Sequence, residues 1–173
     1  MTLLIDSIES PIGPFLLASD GAAVCALEFA DHEDRLKAAL RRWYPGAATA
    51  AATDPGGVRA PLRDYFAGDL RALDAIRVRL RGTEFQRKVW AALRRIPAGT
   101  TTSYGRLATA LEMPRASRAI GLANGANPVS IIVPCHRVVG AGGDLTGYGG
   151  GIARKRWLLE HERQWAVYGG QVT

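Results

Sequence analysis

Near Arg81-Gly82 the hydrophobic period of the chain changes, and that change limits the folds open to it. Up to Phe29, short apolar runs alternate with turn residues: Thr2 to Ile8, then Ser10-Pro11-Ile12-Gly13-Pro14, Phe15 to Ala18, Asp20-Gly21, and Ala23 to Phe29. This is a pattern of strands and hairpins. Glu33 to Tyr44 then carries Leu36, Ala39, Leu40 and Trp43 at helical spacing and stops at Pro45-Gly46, so one helix is expected to pack on a small sheet. Ala47 to Gly57 is rich in Ala, Thr and Gly without periodicity and reads as a flexible loop. A short helix around Pro61 to Ala67 and a strand at Ala75 to Leu80 complete this half.

Beyond Gly82 the spacing is mostly helical. Thr83-Glu84-Phe85-Gln86 fits a capping box, in which the Thr83 hydroxyl and the Gln86 side chain satisfy free amides at a helix start. Phe85, Val89, Trp90 and Leu93 form the apolar stripe, and Ile96-Pro97-Ala98-Gly99 ends it. Ser103 can cap a short helix bearing Leu107, Ala108 and Leu111, broken by Glu112-Met113-Pro114. Arg115 to Asn124 resumes helical spacing through Ala119, Ile120 and Ala123. Two short helices joined by a tight turn make a helix-turn-helix candidate, a geometry also common in proteins that never touch DNA. The expected fold is α+β: a small sheet-plus-helix domain over 1–82, then a mostly helical domain over 83–173 with a helix-turn-helix and a reactive cysteine.

The strongest chemical signal is Asn127-Pro128-Val129-Ser130-Ile131-Ile132-Val133-Pro134-Cys135-His136-Arg137-Val138-Val139-Gly140. Ile131 to Val133 reads as a stiff strand-like segment that Pro134 stops, delivering a cysteine at its end. A thiol reacts as its thiolate, which nearby cations or a histidine favour, and His136 and Arg137 are such neighbours. A lone cysteine also reads as a small buried hydrophobe, but neither proline nor two polar residues suits a core strand. Adjacency in sequence leaves open whether His136 meets the thiol directly or through a water. Cys25, inside Ala22-Ala23-Val24-Cys25-Ala26-Leu27, reads as a buried strand residue.

Composition removes several classes. With 47% hydrophobic and 22% charged residues over 173, the chain is of ordinary globular make-up. No signal sequence or membrane-spanning run is read in it, so a cytoplasmic protein is expected. Two cysteines and three scattered histidines suggest neither a disulfide framework nor a four-ligand zinc site. The charge is uneven: residues 1–82 hold 10 Lys and Arg against 11 Asp and Glu, while 83–173 hold 12 against 5. A basic surface accompanying Cys135 points to nucleic acid, although an Arg-rich solvated surface gives the same count. Gly140 to Gly151 would let backbone approach a ligand closely, but it lacks the Gly-Lys-Ser/Thr ending of a phosphate loop.

Taken together, these residues resemble the O6-alkylguanine-DNA alkyltransferases, the methylated-DNA-protein-cysteine methyltransferases of bacterial type. The resemblance spans roughly Thr83 to Glu162: Phe85-Gln86, Val89-Trp90, Ile96-Pro97 with Gly99, Ser103-Tyr104, Arg118-Ala119, Asn127-Pro128, Pro134 to Val139, and Gly147-Tyr148. Residues 1–82 look like the family's variable domain. The resemblance implies irreversible, single-turnover transfer of an alkyl group from O6-alkylguanine in duplex DNA, and more weakly from O4-alkylthymine, to Cys135. It implies that His136 acts through a water as base, that Glu162 orients His136, and that Asn127 braces the active-site turn. Tyr104 would lie near guanine N3, and Arg118 would fill the gap left by the flipped nucleotide, on a helix entering the minor groove. Ser103, Ala119, Gly125, Val138, Tyr148 and Gly149 complete the implied DNA and substrate contacts.

Two departures are visible. Cys25 alone does not supply the zinc ligands of some eukaryotic members, so no metal and no cofactor are expected. Gly149 stands where some relatives carry serine, leaving only a backbone contact there. The resemblance further implies a monomer, with cooperative binding along DNA an open alternative, and no membrane partner. Two other classes compete with the alkyltransferase: a lesion-binding or regulatory protein in which Cys135 is inert or a sensor, and a cysteine hydrolase using Cys135, His136 and a carboxylate.

Overall fold

The computed structural model describes residues 1–169 of the chain. The fold is α+β, and it divides into two compact units: Met1–Arg81 with Pro128–Ile132, and Gly82–Asn127 with the chain from Val133 onward.

The first unit is built on a four-stranded sheet. Strands β1 (Thr2–Ile8), β2 (Phe15–Ser19) and β3 (Val24–Phe29) form two antiparallel hairpins, as their turn residues predict. Helix α1 (Glu33–Trp43) then crosses over and returns the chain to β4 (Ala48–Ala51), which pairs parallel with β1, giving the order β3-β2-β1-β4. The Ala47 to Gly57 stretch is therefore not wholly a loop. Four small residues complete an exposed sheet edge, and their pairing comes from the open side of β1 rather than from any apolar alternation of their own.

Leu3, Cys25 and Tyr44 form one core cluster of this unit, with Leu40 and Trp43 of α1 packed against it. Ala18, Ala26 and Leu36 form another. Cys25 is 2% exposed, as a buried strand residue should be, and burial raises its thiol above the usual range. The rings of Phe15 and Phe29 sit with centroids 4.5 Å apart. The next helix, α2 (Arg59–Phe66), buries Leu62 and Tyr65.

The expected strand at Ala75 to Leu80 reduces to one parallel bridge, Val24 to Val78, with Val24 N donating to Arg77 O and Arg79 N donating to Val24 O. Beyond the bridge, Arg79 O accepts from Tyr44 Oη at 3.2 Å, so a side chain takes the carbonyl that a longer ladder would use. Farther along β3, Leu27 N donates to Pro128 O and Ser130 N to Leu27 O. Thus the outer edge of β3 is partly covered by two distant segments.

The second unit begins with α3 (Glu84–Leu93), and both halves of its capping box form: Gln86 N donates to Thr83 Oγ1 at 3.1 Å, and Thr83 N to Gln86 Oε1 at 3.0 Å. Gly82 crosses the Trp90 ring so closely that a Cβ there would meet it at 2.6 Å. Trp90 is fully buried and donates Nε1–H to Ala123 O at 2.8 Å. Strand β5 (Thr102–Ser103) leads into α4 (Tyr104–Ala110), capped by the Ser103 hydroxyl, and α5 (Ser117–Gly125) packs on α3 and α4. These are the two helices expected of the helix-turn-helix. Strand β6 (Val138–Val139) pairs parallel with β5, and α6 (Ile152–Gly169) closes the described chain. No described helix is long and apolar enough to cross a membrane.

Candidate active site

Ile131 to Val133 does not form the expected strand. The segment is a turn, with Ile132 N donating to Ser130 O at 2.8 Å and Ile131 at φ +67°, a left-handed conformation unusual for a β-branched residue. All three side chains are buried. Their apolar character therefore holds a kinked turn in place, against the local preference for extended backbone. Asn127 Nδ2 donates to Val133 O at 2.8 Å, and Cys135 N donates to the same carbonyl at 2.8 Å. Asn127 thus ties the entry to this turn to its exit, immediately before the cysteine.

Cys135 opens a single 3₁₀ turn, Cys135–Arg137, and is 6% exposed. Asn124, buried on α5, donates Nδ2–H to Cys135 O at 3.3 Å, connecting the helix-turn-helix to the cysteine backbone. The parallel register Thr102↔Val138 and Ser103↔Val139 brings the start of α4, and so Tyr104, alongside the chain leaving Cys135.

The turn directs His136 and Arg137 to one carboxylate. His136 Nε2 lies 2.8 Å from Glu162 Oε1, and both side chains are wholly buried. Arg137 meets the same carboxylate bidentately, with Nε to Oε2 at 2.9 Å and a terminal nitrogen to Oε1 at 2.8 Å. Its other terminal nitrogen donates to Ile96 O at 2.7 Å. Gly99 N adds a longer bond to Glu162 Oε2 at 3.4 Å.

Burial by itself would raise the Glu162 carboxyl. The charges and hydrogen bonds of His136 and Arg137 override that and hold it far below the usual carboxylate range. An ionised carboxylate only accepts hydrogen bonds, so His136 must carry its proton on Nε2. Nδ1 of the neutral ring is then the basic nitrogen. It is buried and has no hydrogen-bond partner among the described residues. The arrangement can take a proton from a neighbouring thiol, directly or through a water.

Two hydrogen-bonded sets thus meet at the cysteine: Asn127 reaches the Cys135 backbone through Val133 O, and Glu162 holds His136 and Arg137, the two residues that follow Cys135. Val138 is buried in β6, and Tyr148 and Gly149 are half-buried in the 140–151 segment that follows. Tyr104 is half-buried, with its ring 3.7 Å from where a Cβ on Gly121 would stand. The Ser103 hydroxyl is occupied as the α4 cap. Arg118, Ala119 and Gly125 lie on the exposed face of α5.

Sequence reasoning missed the Glu162 contacts of Arg137 and Gly99. It took Arg137 as a cation beside the thiol and Gly99 as a helix stop. The buried Asn124 was also missed, and the only hint of it was a polar residue on the inward side of α5. Among the described residues no His, Cys, Asp and Glu cluster could hold a metal ion.

Comparison with known proteins gives a consistent result over nearly the whole chain. Residues 84–164 match the family model described as 6-O-methylguanine DNA methyltransferase, DNA binding domain. Residues 3–80 match the model described as 6-O-methylguanine DNA methyltransferase, ribonuclease-like domain. The methylated-DNA–protein-cysteine methyltransferase of Salmonella typhimurium is 48% identical over 165 residues, covering 94% of this chain and 96% of that protein. Its Mycobacterium tuberculosis counterpart is 49% identical over 160 residues, covering 91% and 90%. The crystal structure of M. tuberculosis OGT in complex with DNA matches with a TM-score of 0.77 at 44% identity, over 95% of this chain and 94% of that one. The O6-methylguanine-DNA methyltransferase of Pyrococcus kodakaraensis matches with a TM-score of 0.68 at 28% identity, over 92% and 98%.

Proposed function

The chain belongs to the methylated-DNA–protein-cysteine methyltransferase family, and from that membership and the geometry around Cys135 we propose that it repairs DNA by direct reversal, taking the alkyl group of O6-alkylguanine onto the Cys135 sulfur. The observation that carries the reading is the buried relay Arg137–Glu162–His136, which leaves Nδ1 of the histidine as a base beside a cysteine.

The steps balance. The Cys135 thiol proton moves to His136 Nδ1, directly or through a water, and the thiolate attacks the O6-bound carbon of the lesion. An S–C bond forms as the C–O6 bond breaks, and the electron pair passes to the purine. The purine takes a proton from water to complete guanine, and His136 returns the thiol's proton to water. Cys135 is left as a thioether, so each chain acts once.

Chemistry at O6 requires the nucleotide to leave the duplex, at a cost of a few kcal/mol in stacking and pairing. Arg118 is exposed and forms no ion pair among the described residues, so its guanidinium is available to occupy the gap. Ala119, Gly121 and Gly125 leave α5 slim enough for a minor groove, and Leu122, 72% exposed, adds a large apolar side chain beside Arg118 on that face. Tyr104 would face guanine N3, while Val138, Tyr148 and Gly149 would line the base, Gly149 through its backbone. Ser103 would act by fixing the start of α4, since its hydroxyl is already committed there.

The same reading assigns DNA binding and chemistry to residues 83–173 and a supporting role to 1–82. It also extends to O4-alkylthymine as a poorer substrate, to a monomer that can bind cooperatively along DNA, and to action without a cofactor in the cytoplasm. Intact-protein mass spectrometry after mixing with duplex DNA containing one O6-methylguanine tests it, with Cys135→Ala alongside. One methyl increment, mapped to Cys135 and lost in the variant, is expected. Unmodified protein that still binds the lesion would make the chain a reader rather than a transferase.

A further inference from the structure

The transfer chemistry leaves Lys155 unexplained. It lies in the first turn of α6 between Arg154 and Arg156, where a lysine reads as a solvated cation, yet it is completely buried. An ammonium withdrawn from water is costly unless its donors are satisfied. Nζ has three N–H groups. It lies 2.6 Å from Val138 O, 2.8 Å from Thr146 O and 3.5 Å from Gly147 O. Among the described residues no carboxylate pairs with it. Burial lowers its affinity for the proton, and negative charge on Cys135 acts in the opposite direction.

The acceptors belong to two different parts of the chain. Val138 begins β6, three residues after the nucleophile. Thr146 and Gly147 lie in the 140–151 segment, which has neither helix nor strand to hold its shape. The first half of that segment closes on itself, through Gly140 N to Asp144 O at 2.8 Å and Gly143 N to Gly140 O at 2.9 Å. The second half is attached to β6 by the lysine, and Tyr148-Gly149 follow directly.

We propose that Lys155 is a positioning residue for the transfer: its ammonium clasps the carbonyls of Val138, Thr146 and Gly147 and so fixes the Tyr148-Gly149 backbone as one wall of the site that receives the extruded base. This rests on the alkyl transfer read above. A lysine suits the position because its three donors radiate from one point, whereas an arginine presents a larger planar fork. Methionine fills a similar volume and donates nothing.

The test compares wild type with Lys155→Met. Single-turnover methyl transfer from an O6-methylguanine duplex, affinity for undamaged duplex by fluorescence anisotropy, and hydrogen exchange are measured on the full chain. The clasp predicts transfer at least about tenfold slower, duplex affinity within about twofold, and faster exchange confined to 140–149 while α3 and α5 stay protected. Wild-type transfer by the variant overturns the proposal. So does a joint loss of transfer, affinity and α5 protection, which would make Lys155 a general packing residue.

If Lys155→Met does not fold, Lys155→Arg decides, because it keeps the charge without the geometry. Slower transfer with raised 140–149 exchange supports the clasp, and wild-type behaviour on both overturns it. An arm on the unaltered chain needs no variant. The sequence has three lysines, Lys37, Lys88 and Lys155, and the first two are exposed. Acylation by an amine reagent followed by peptide mapping should modify those two far faster than Lys155, and equal rates would overturn the clasp. A wild-type chain that transfers no methyl would remove the repair reading itself, whereas a transferring wild type matched by its Lys155 variants removes only this inference.

Discussion

In the proposed relay Glu162 sets which nitrogen of His136 can act as a base, and Arg137 shares the same carboxylate. A carboxylate facing the imidazole alone would stabilise the protonated ring strongly. The bidentate guanidinium takes up much of that negative charge while keeping both oxygens as acceptors. Glu162→Gln exchanges one acceptor for a donor and leaves a buried arginine without its counter-charge. We expect a stability loss of about 3–5 kcal/mol by urea unfolding. Transfer should slow by between about 10²- and 10⁴-fold, the larger figure being the loss seen when the carboxylate behind a catalytic histidine becomes an amide.

Arg118 makes the opposite kind of prediction, because it lies on the exposed face of α5. Arg118→Ala should leave the reaction with a free O6-alkylguanine base nearly intact and slow transfer from duplex DNA by tenfold or more; equal losses on both substrates would rule out a flipping role. The residues of the Pro-Cys-His-Arg motif were legible in sequence as reactive groups. The connections made by Arg137 and Lys155 were not, because an arginine or lysine in a basic segment gives no sign of which carboxylate or carbonyl it will meet in space.

Among the elements, those with local instructions were legible, and those whose conformation is imposed from outside were not. The α3 start is an example of the first kind: Thr83 and Gln86 satisfy each other within four residues. β4 is an example of the second, since its alanines and threonine pair only because α1 returns them to an open β1 edge. The Ile131 turn inverts local preference, and magnitudes explain why it survives. A left-handed β-branched residue costs about 1–3 kcal/mol, whereas stripping a buried isoleucine to alanine costs about 2–5 kcal/mol. Burial therefore prevails, and the reading of an extended strand failed for that reason.

The turn after α3 gives a direct test at this scale. Gly99 sits at φ +83°, where a Cβ would stand 2.5 Å from Ala166 Cβ. Gly99→Ala should destabilise by about 2–4 kcal/mol, combining left-handed strain with overpacking. It should also slow transfer, because the displaced amide is one of the donors to Glu162; unchanged urea midpoints and rates would contradict the geometry.

For the whole molecule, acid stability and salt response follow from where charge is buried and where it is exposed. The folded Glu162 carboxyl titrates below its ordinary value of 4.5, so its contribution to stability is complete above that value. That contribution is lost as pH falls through the acid range toward the lower folded value. Unfolding midpoints in urea should therefore fall steeply below about pH 4.5, and they should do so less in any folded Glu162→Gln protein.

The basic excess of residues 83–173, 12 Lys and Arg against 5 Asp and Glu, predicts duplex affinity that falls linearly in log–log plots against salt. The base sequence around the lesion should matter little, since the exposed face of α5 offers few groups able to read base edges. A salt-independent affinity would remove the electrostatic basis of binding.

The partners of β3 also govern how the chain emerges during synthesis. Leu27 waits for Pro128 and Ser130, and Glu28 for the Ser130 hydroxyl 102 residues later. At about 5–20 residues per second, the first sheet stands at the ribosome with part of its edge open for roughly 5–20 s, until the peptide leading to the nucleophile arrives. The last stitch of the N-terminal sheet and the backbone that presents Cys135 are therefore laid down in the same moment of translation.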